Sequence, residues 1–195
     1  MGWGSPERPW IALTFDAELG GEMGTAVLDT LRAWDVRATF FITGAWARHH
    51  PDLVQRMVAE GHPIGNHTDS HARLIELSDE AIRQELRHAQ ATLMEIAGHD
   101  PRPWFRPPFG KRDARVRRIA AEERYLTVVW SIDVMNWLEA NSPQSMLDKA
   151  LNEAGNGSII VFHLNRLDAE ALPAIIQGLR ARGYRLVTLA ELLAP

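Results

Sequence analysis

The segment Trp10-Ile11-Ala12-Leu13-Thr14-Phe15-Asp16 is a short apolar run that ends on a carboxylate. A run of this length reads as a buried strand that delivers Asp16 at its C-terminal end. Gly20 and Gly21 follow as a loop. Val27, Leu28, Leu31 and Trp34 then recur at helical spacing within 23–34. Strand and helix patterns then alternate along the chain. RATFFIT (37–43) reads as a second strand, rich in β-branched and aromatic residues. Helices through roughly 45–60 carry the stripe Leu53, Val54, Met57 and Val58, with Gly61 as C-terminal cap. Pro63 to Asn66 reads as strand three. Ser78 caps a long amphipathic helix that stops near Gly98. Strand four is short (Trp104 to Arg106), strand five covers Tyr125 to Ile132, strand six Ser158 to His163, and strand seven Tyr184 to Val187. Helices are expected over 114–123, from Ser142-Pro143, over 169–182 and over 189–193.

Strict alternation of strand and helix, without repeat, low-complexity tract or linker, implies a parallel sheet built from right-handed crossovers. About seven strands is one unit short of an eightfold barrel. The expected fold class is therefore α/β, a distorted or incomplete (β/α) barrel, with 1–195 as one domain. A doubly wound open sheet ranks second, because no glycine-rich phosphate fingerprint follows the first strand.

The chain has 195 residues, enough for one proper core. A formal charge of -4 argues against a general nucleic-acid binder. The absence of cysteine excludes disulfides, thiolate metal sites and a cysteine nucleophile. No stretch approaches the roughly 20 apolar residues of a membrane span. The start, Met-Gly-Trp-Gly-Ser-Pro, lacks a signal-peptide pattern, so the chain reads as cytoplasmic or as a trimmed domain. Seven tryptophans are many for this length and hint at sugar rings, although core packing is their commoner use.

The polar residues of interest fall at strand ends: Asp16 after strand one, His67 and His71 after strand three, Arg106 after strand four, Asp133 after strand five and His163 closing strand six. In a barrel these share one rim, where catalytic residues collect. On a helical turn His67 and His71 would lie on one face, with Cβ atoms about 5–6 Å apart, and could hold one divalent ion. A metal on two histidines, with an aspartate and a further histidine beside it, suggests metal-assisted hydrolysis of an amide or ester.

The segments TFDAE, GNHTDSH, FRPPFG, WSIDVMNW and IIVFHL, in this order, resemble the five motifs of the polysaccharide deacetylase family (carbohydrate esterase family 4) over about residues 10–193. The resemblance implies a distorted (β/α) barrel that removes N-acetyl or O-acetyl groups from sugar polymers, usually with zinc or a similar divalent ion. It implies Asp16 as catalytic base, His67 and His71 as metal ligands, Arg106 as the partner of the base and His163 as catalytic acid. Phe109 and Pro108 would be substrate-binding, with the backbone N–H of Phe109 on the oxyanion. Trp137 and Leu164 would line the pocket for the acetyl methyl, and Asp133 matches the first acid of its motif.

Two positions depart from the family pattern. Ala17 stands where a second aspartate usually supplies the third metal ligand. The neighbouring Glu18 is a candidate substitute, with a two-histidine site or no metal as the alternatives. Asn136 stands where an aspartate usually supports the catalytic histidine, so the pKa of His163 is expected to be raised less than usual.

The expected function is a metal-dependent hydrolase removing N-acetyl groups from amino-sugar polymers, peptidoglycan or chitin-like. The alternatives are an O-acetyl xylan esterase and a catalytically impaired glycan-binding domain. The expected partner is a glycan, with no nucleic acid and no membrane span, and the resemblance tilts localisation to the cell envelope or exterior. His49 and His50 read as surface residues and Trp46 and Trp104 as packing residues. The run Arg112, Arg115, Arg117 and Arg118 reads as a solvated helix face that could also meet an anionic glycan.

Overall fold

The computed structural model describes residues 1–18, 20–135 and 140–194. Its elements alternate as the hydrophobic pattern requires. They begin β1 (Trp10–Ala17), α1 (Gly24–Ala33), β2 (Thr39–Ile42), α2 (Gly44–His49), α3 (Pro51–Ala59) and β3 (Ile64–Asn66). Next come α4 (Asp79–Ala97), β4 (Trp104–Phe105), α5 (Ala114–Glu122), β5 (Leu126–Thr127) and β6 (Ile132–Asp133). The chain closes with α6 (Pro143–Glu153), β7 (Ile159–His163), α7 (Arg166–Ala181), β8 (Arg185–Val187) and α8 (Leu189–Leu192).

The strands line up as β5-β4-β3-β2-β1-β7-β6, and β8 joins beside the first half of β1. Every strand pairing is parallel, so the chain forms the curled, incomplete barrel expected.

The segment read as one strand over 125–132 is in fact two. β5 pairs with β4 at one end of the sheet, and β6 pairs with β7 at the other. The residues between them carry the chain across the gap: Val128 N–H donates to Phe105 O and Ser131 N–H to Ile159 O. The helical stretch over 45–60 also divides, because Pro51 lacks the N–H that would continue α2 and instead opens α3.

Successive strand residues face opposite sides, and β1 uses both. Ile11, Leu13 and Phe15 join the core beneath the helices, with Val27, Leu31, Met57, Ile175 and Leu179. Phe15 stacks between Phe40 and Phe162 at 5.1 and 5.2 Å, which ties β2, β1 and β7 together. Thr14 and Asp16, on the alternate positions, are turned to the other side, where they meet Arg106. Helix ends are set locally. Ser78 accepts from Ala81 N–H to start α4, and Gly98, at φ 75°, ends it in the left-handed conformation that glycine adopts without a Cβ penalty.

Candidate active site

Arg106, just past β4, is fully buried. Its Nη1 donates to Asp16 Oδ1 at 2.6 Å and its Nη2 to Thr14 Oγ1 at 2.9 Å. The guanidinium lies 4.1 Å from the ring centre of Phe41 and 5.5 Å from that of Trp130. Burial by itself would raise the Asp16 carboxyl. The Arg106 charge, assisted by His67 and His163, outweighs that and holds it below the usual carboxylate range.

His67 follows β3 directly and is buried. Its Nδ1 lies 2.8 Å from Arg106 O, and because a carbonyl only accepts, Nδ1 carries the proton. Nε2 is left as a lone pair, 3.7 Å from Asp16 Oδ2. Burial lowers the pKa of His67, and it lowers that of His71 to about 4, with His67 adding to the effect. Both rings are therefore neutral at pH 7.

The two rings meet at 4.9 Å, but not through helical spacing as expected. Residues 67–71 form a tight loop in which Thr68 and His71 take positive φ, 70° and 60°. This conformation is costly for residues with a Cβ and is held by specific bonds. Asn66 Oδ1 accepts from Thr68 N–H, and Thr68 Oγ1 accepts from His71 N–H. Glu85, on α4, accepts from the N–H groups of Asp69 and Ser70 and from the Ser70 hydroxyl. Asn66 is itself anchored, donating to Leu86 O and to the Tyr125 hydroxyl.

His163 ends β7 directly beside Asp16 in the sheet register. Its N–H donates to the buried Asp168, at the start of α7. Burial lowers its pKa despite the nearby Asp16 and Asp133, a shift opposite in direction to the muted rise expected. Glu18 Oε1 lies 3.5 Å from His163 Nε2. Burial, reinforced by the neighbouring Asp16 charge, pushes the Glu18 carboxyl up to about 8.

Asp16, Glu18, His67, His71, Phe109, Trp130, Asp133 and His163 line one cavity of about 490 Å³. Phe109, at φ 58° in the turn Pro108–Gly110, lays its ring 4.5 Å from His71. Asp133 accepts from Met135 N–H. Pro108 and Leu164 are both buried, Leu164 in the core beneath the helices, and neither is among the residues lining this cavity. Asn136 and Trp137 lie outside the described residues. Of the weaker candidates, Trp46 packs in the core and donates to Gly20 O, and the His50 ring leans on Trp46 at 4.6 Å.

Thr14, Asn66, Glu85 and Trp130 were not singled out from the sequence. The first two had a readable signal: Thr14 shares the strand parity of Asp16, and Asn66 immediately precedes His67. Glu85 and Trp130 become visible only once the fold brings them in.

The motifs imply a divalent ion, and the donor set meets that requirement only in part. His67 is oriented as a metal-bound imidazole is, with Nδ1–H fixed by a carbonyl and Nε2 free. The third donor is missing. Ala17 is fully buried in the core beneath the helices, and the Glu18 carboxylate sits beside His163. Among the described residues no group of three or more His, Cys, Asp or Glu side chains is placed to hold a metal. The residues present do not fit an ion held by three protein donors.

The family profile described as Polysaccharide deacetylase matches residues 4–128. The chain belongs to the polysaccharide deacetylase family. This deacetylase-family chain is 33% identical over 187 residues to the peptidoglycan-N-acetylglucosamine deacetylase of Bacillus cereus, covering 93% of the chain and 67% of that protein. Its fold superposes on the Bc1960 peptidoglycan N-acetylglucosamine deacetylase with a TM-score of 0.93 at 31% identity, covering 98% of the chain and 91% of that structure. It superposes equally well on BA3943 from Bacillus anthracis, a CE4 family pseudoenzyme, with a TM-score of 0.95 at 28% identity, covering 100% of the chain and 68% of that structure. The deacetylase-family chain spans 59% of Bacillus subtilis YlxY, and between 38% and 73% of other curated relatives.

Proposed function

We propose that this domain hydrolyses the N-acetyl amide of an amino-sugar polymer of the peptidoglycan type, acting at the cell envelope. The observation that carries this reading is the buried Arg106–Asp16 pair opening onto the same cavity as His67, His71 and His163. Asp16, held ionised by Arg106, takes a proton from the attacking water. The departing amine needs a proton, and the Glu18–His163 pair holds one at neutral pH, because the Glu18 carboxyl stays protonated up to about 8. His163, nearest the base in register, delivers that proton, and Asp133 faces it from β6. The Phe109 N–H is assigned to the oxyanion, a role for which the side-chain identity is immaterial. The residues do not complete a zinc site, and each of these steps falls to a protein group.

Acetate release from N-acetylated glycan strands, compared with acetylated xylan, tests the reading. Asp16→Asn is expected to lower the rate by about a hundredfold or more. Release from xylan alone would move the domain to the O-esterases. Absence of release from both, with retained glycan binding, would support a second reading, a catalytically silent glycan-binding domain. Ala17 favours that second reading, as does the likeness to a pseudoenzyme. Among the described residues no helix is long and apolar enough to cross a membrane.

A further inference from the structure

The cavity rim on the Phe109 side carries charge that the acetyl chemistry does not use. Phe109 lines the cavity yet remains 49% exposed. The guanidinium of Arg73, on the loop that follows His71, lies 4.7 Å from the centre of its ring. Arg112 Nη1 donates to Gly110 O at 2.6 Å, which fixes a second guanidinium beside the same turn, and Lys111 stands between them in sequence. All three are exposed.

The basic run singled out in the sequence therefore divides. Arg115 and Arg118 are held by Asp79, and Arg118 also by Glu122, so they belong to the packing of α5 against α4. Among the described residues no carboxylate forms an ion pair with Arg73, Lys111 or Arg112. Asp113, the carboxylate nearest them in sequence, is engaged as the N-cap of α5, accepting from Val116 N–H. In a chain of net charge -4, three cations with no carboxylate partner among the described residues, on and beside the turn that carries Phe109, are a local choice and do not follow from composition.

We propose that Arg73, Lys111 and Arg112 form a subsite for a carboxylate carried by the glycan. The preferred polymer is then anionic, with a carboxylate on a sugar adjoining the N-acetyl group, and not a neutral chitin-like chain. This rests on the glycan reading above. Phe109 supplies a flat apolar surface for a sugar ring. The two guanidiniums, each already restrained by one contact, offer paired donors to a carboxylate with less ordering to be lost on binding.

The test measures dissociation constants of the full chain for three probes: peptide-free strands of alternating N-acetylglucosamine and N-acetylmuramic acid, the same strands with their carboxylates amidated, and a chitin oligomer of equal length. The carboxylated strand is expected to bind about tenfold tighter than its amidated form at low salt, with the ratio shrinking as salt is raised. In the triple variant Arg73→Gln, Lys111→Gln, Arg112→Gln the ratio is expected to fall to near one. In Arg118→Gln, which alters a guanidinium already paired with Asp79 and Glu122, it is expected to persist. Equal binding of carboxylated and amidated strands overturns the subsite while leaving the glycan reading intact. So does a preference that survives the triple variant, or one lost equally in Arg118→Gln. Failure of all three probes to bind overturns both.

Discussion

Arg106 connects stability and chemistry more directly than any other side chain. It is fully buried, its charge is matched by the buried Asp16, and two aromatic rings pack against its guanidinium. Removing one member of such a pair leaves the other charge stranded, at a cost of about 3–5 kcal/mol. Arg106→Met is accordingly expected to destabilise the domain by that amount in urea unfolding. With its main counter-charge gone and burial opposed only by His67 and His163, the Asp16 carboxyl should titrate higher than in the parent, and Arg106→Met combined with Asp16→Leu should recover much of the loss. A single variant that unfolds at the parent's midpoint would mean that the pair is not a buried ion pair. At the same scale, His67 and His71 without a third donor should hold zinc far more weakly than complete structural sites, which bind with about 10–16 kcal/mol. After dialysis against metal-free buffer, metal analysis is expected to find well under one equivalent of zinc. Retention of a full equivalent would mean that a third donor reaches the ion. The identity of Asp16, His67, Arg106 and His163 as a set was legible in the sequence, because each ends or follows a strand. The direction in which each side chain titrates was not, since it depends on burial that no local pattern records.

The loop 67–71 shows why an element can be recognised and still be misread in detail. Spacing of four suggests a helical face, yet the rings meet through two left-handed residues. The bonds that impose this come from α4 and from Asn66, Glu85 lying 14 residues or more further along the chain. Glu85→Ala strips acceptors from two backbone N–H groups and a hydroxyl. Its expected cost is about 1–3 kcal/mol, with faster hydrogen exchange at the Asp69 and Ser70 amides than elsewhere in the chain. Exchange accelerated evenly across the sheet would instead mark Glu85 as a general packing residue. The segment 125–133 teaches the same lesson in β structure. Its local composition is that of one strand, and only the two sheet edges it must reach divide it into β5 and β6. Trp130 falls in that crossing and covers Arg106, a placement set by barrel closure and invisible in its neighbours in sequence.

For the whole molecule, the buried titratable groups act in opposite directions, and their sum should shape stability against pH. His62, His67, His71 and His163 all have pKa values lowered by burial from an unfolded value near 6.5, to about 4 for His71. Each favours a neutral folded state. The stability it contributes is complete above 6.5 and is lost as pH falls toward the folded value. Glu18 behaves inversely, with its folded carboxyl raised from 4.5 to about 8. Its contribution is complete below 4.5 and is lost as pH rises toward 8. Between those limits several imidazoles oppose one carboxyl, so the acid side should fall first and more steeply. Above 6.5 the imidazoles have largely finished titrating and Glu18 gives a falling slope of no more than about 1.4 kcal/mol per pH unit, partly opposed by the Met1 amine, whose pKa burial lowers. Tm measured across this range is therefore expected to pass through a maximum close to neutrality. Glu18→Gln, neutral in both states, should flatten the alkaline limb and leave the acid limb in place. An alkaline limb of unchanged slope in that variant would show that Glu18 is already ionised in the folded domain, and would remove it as the proton store for His163.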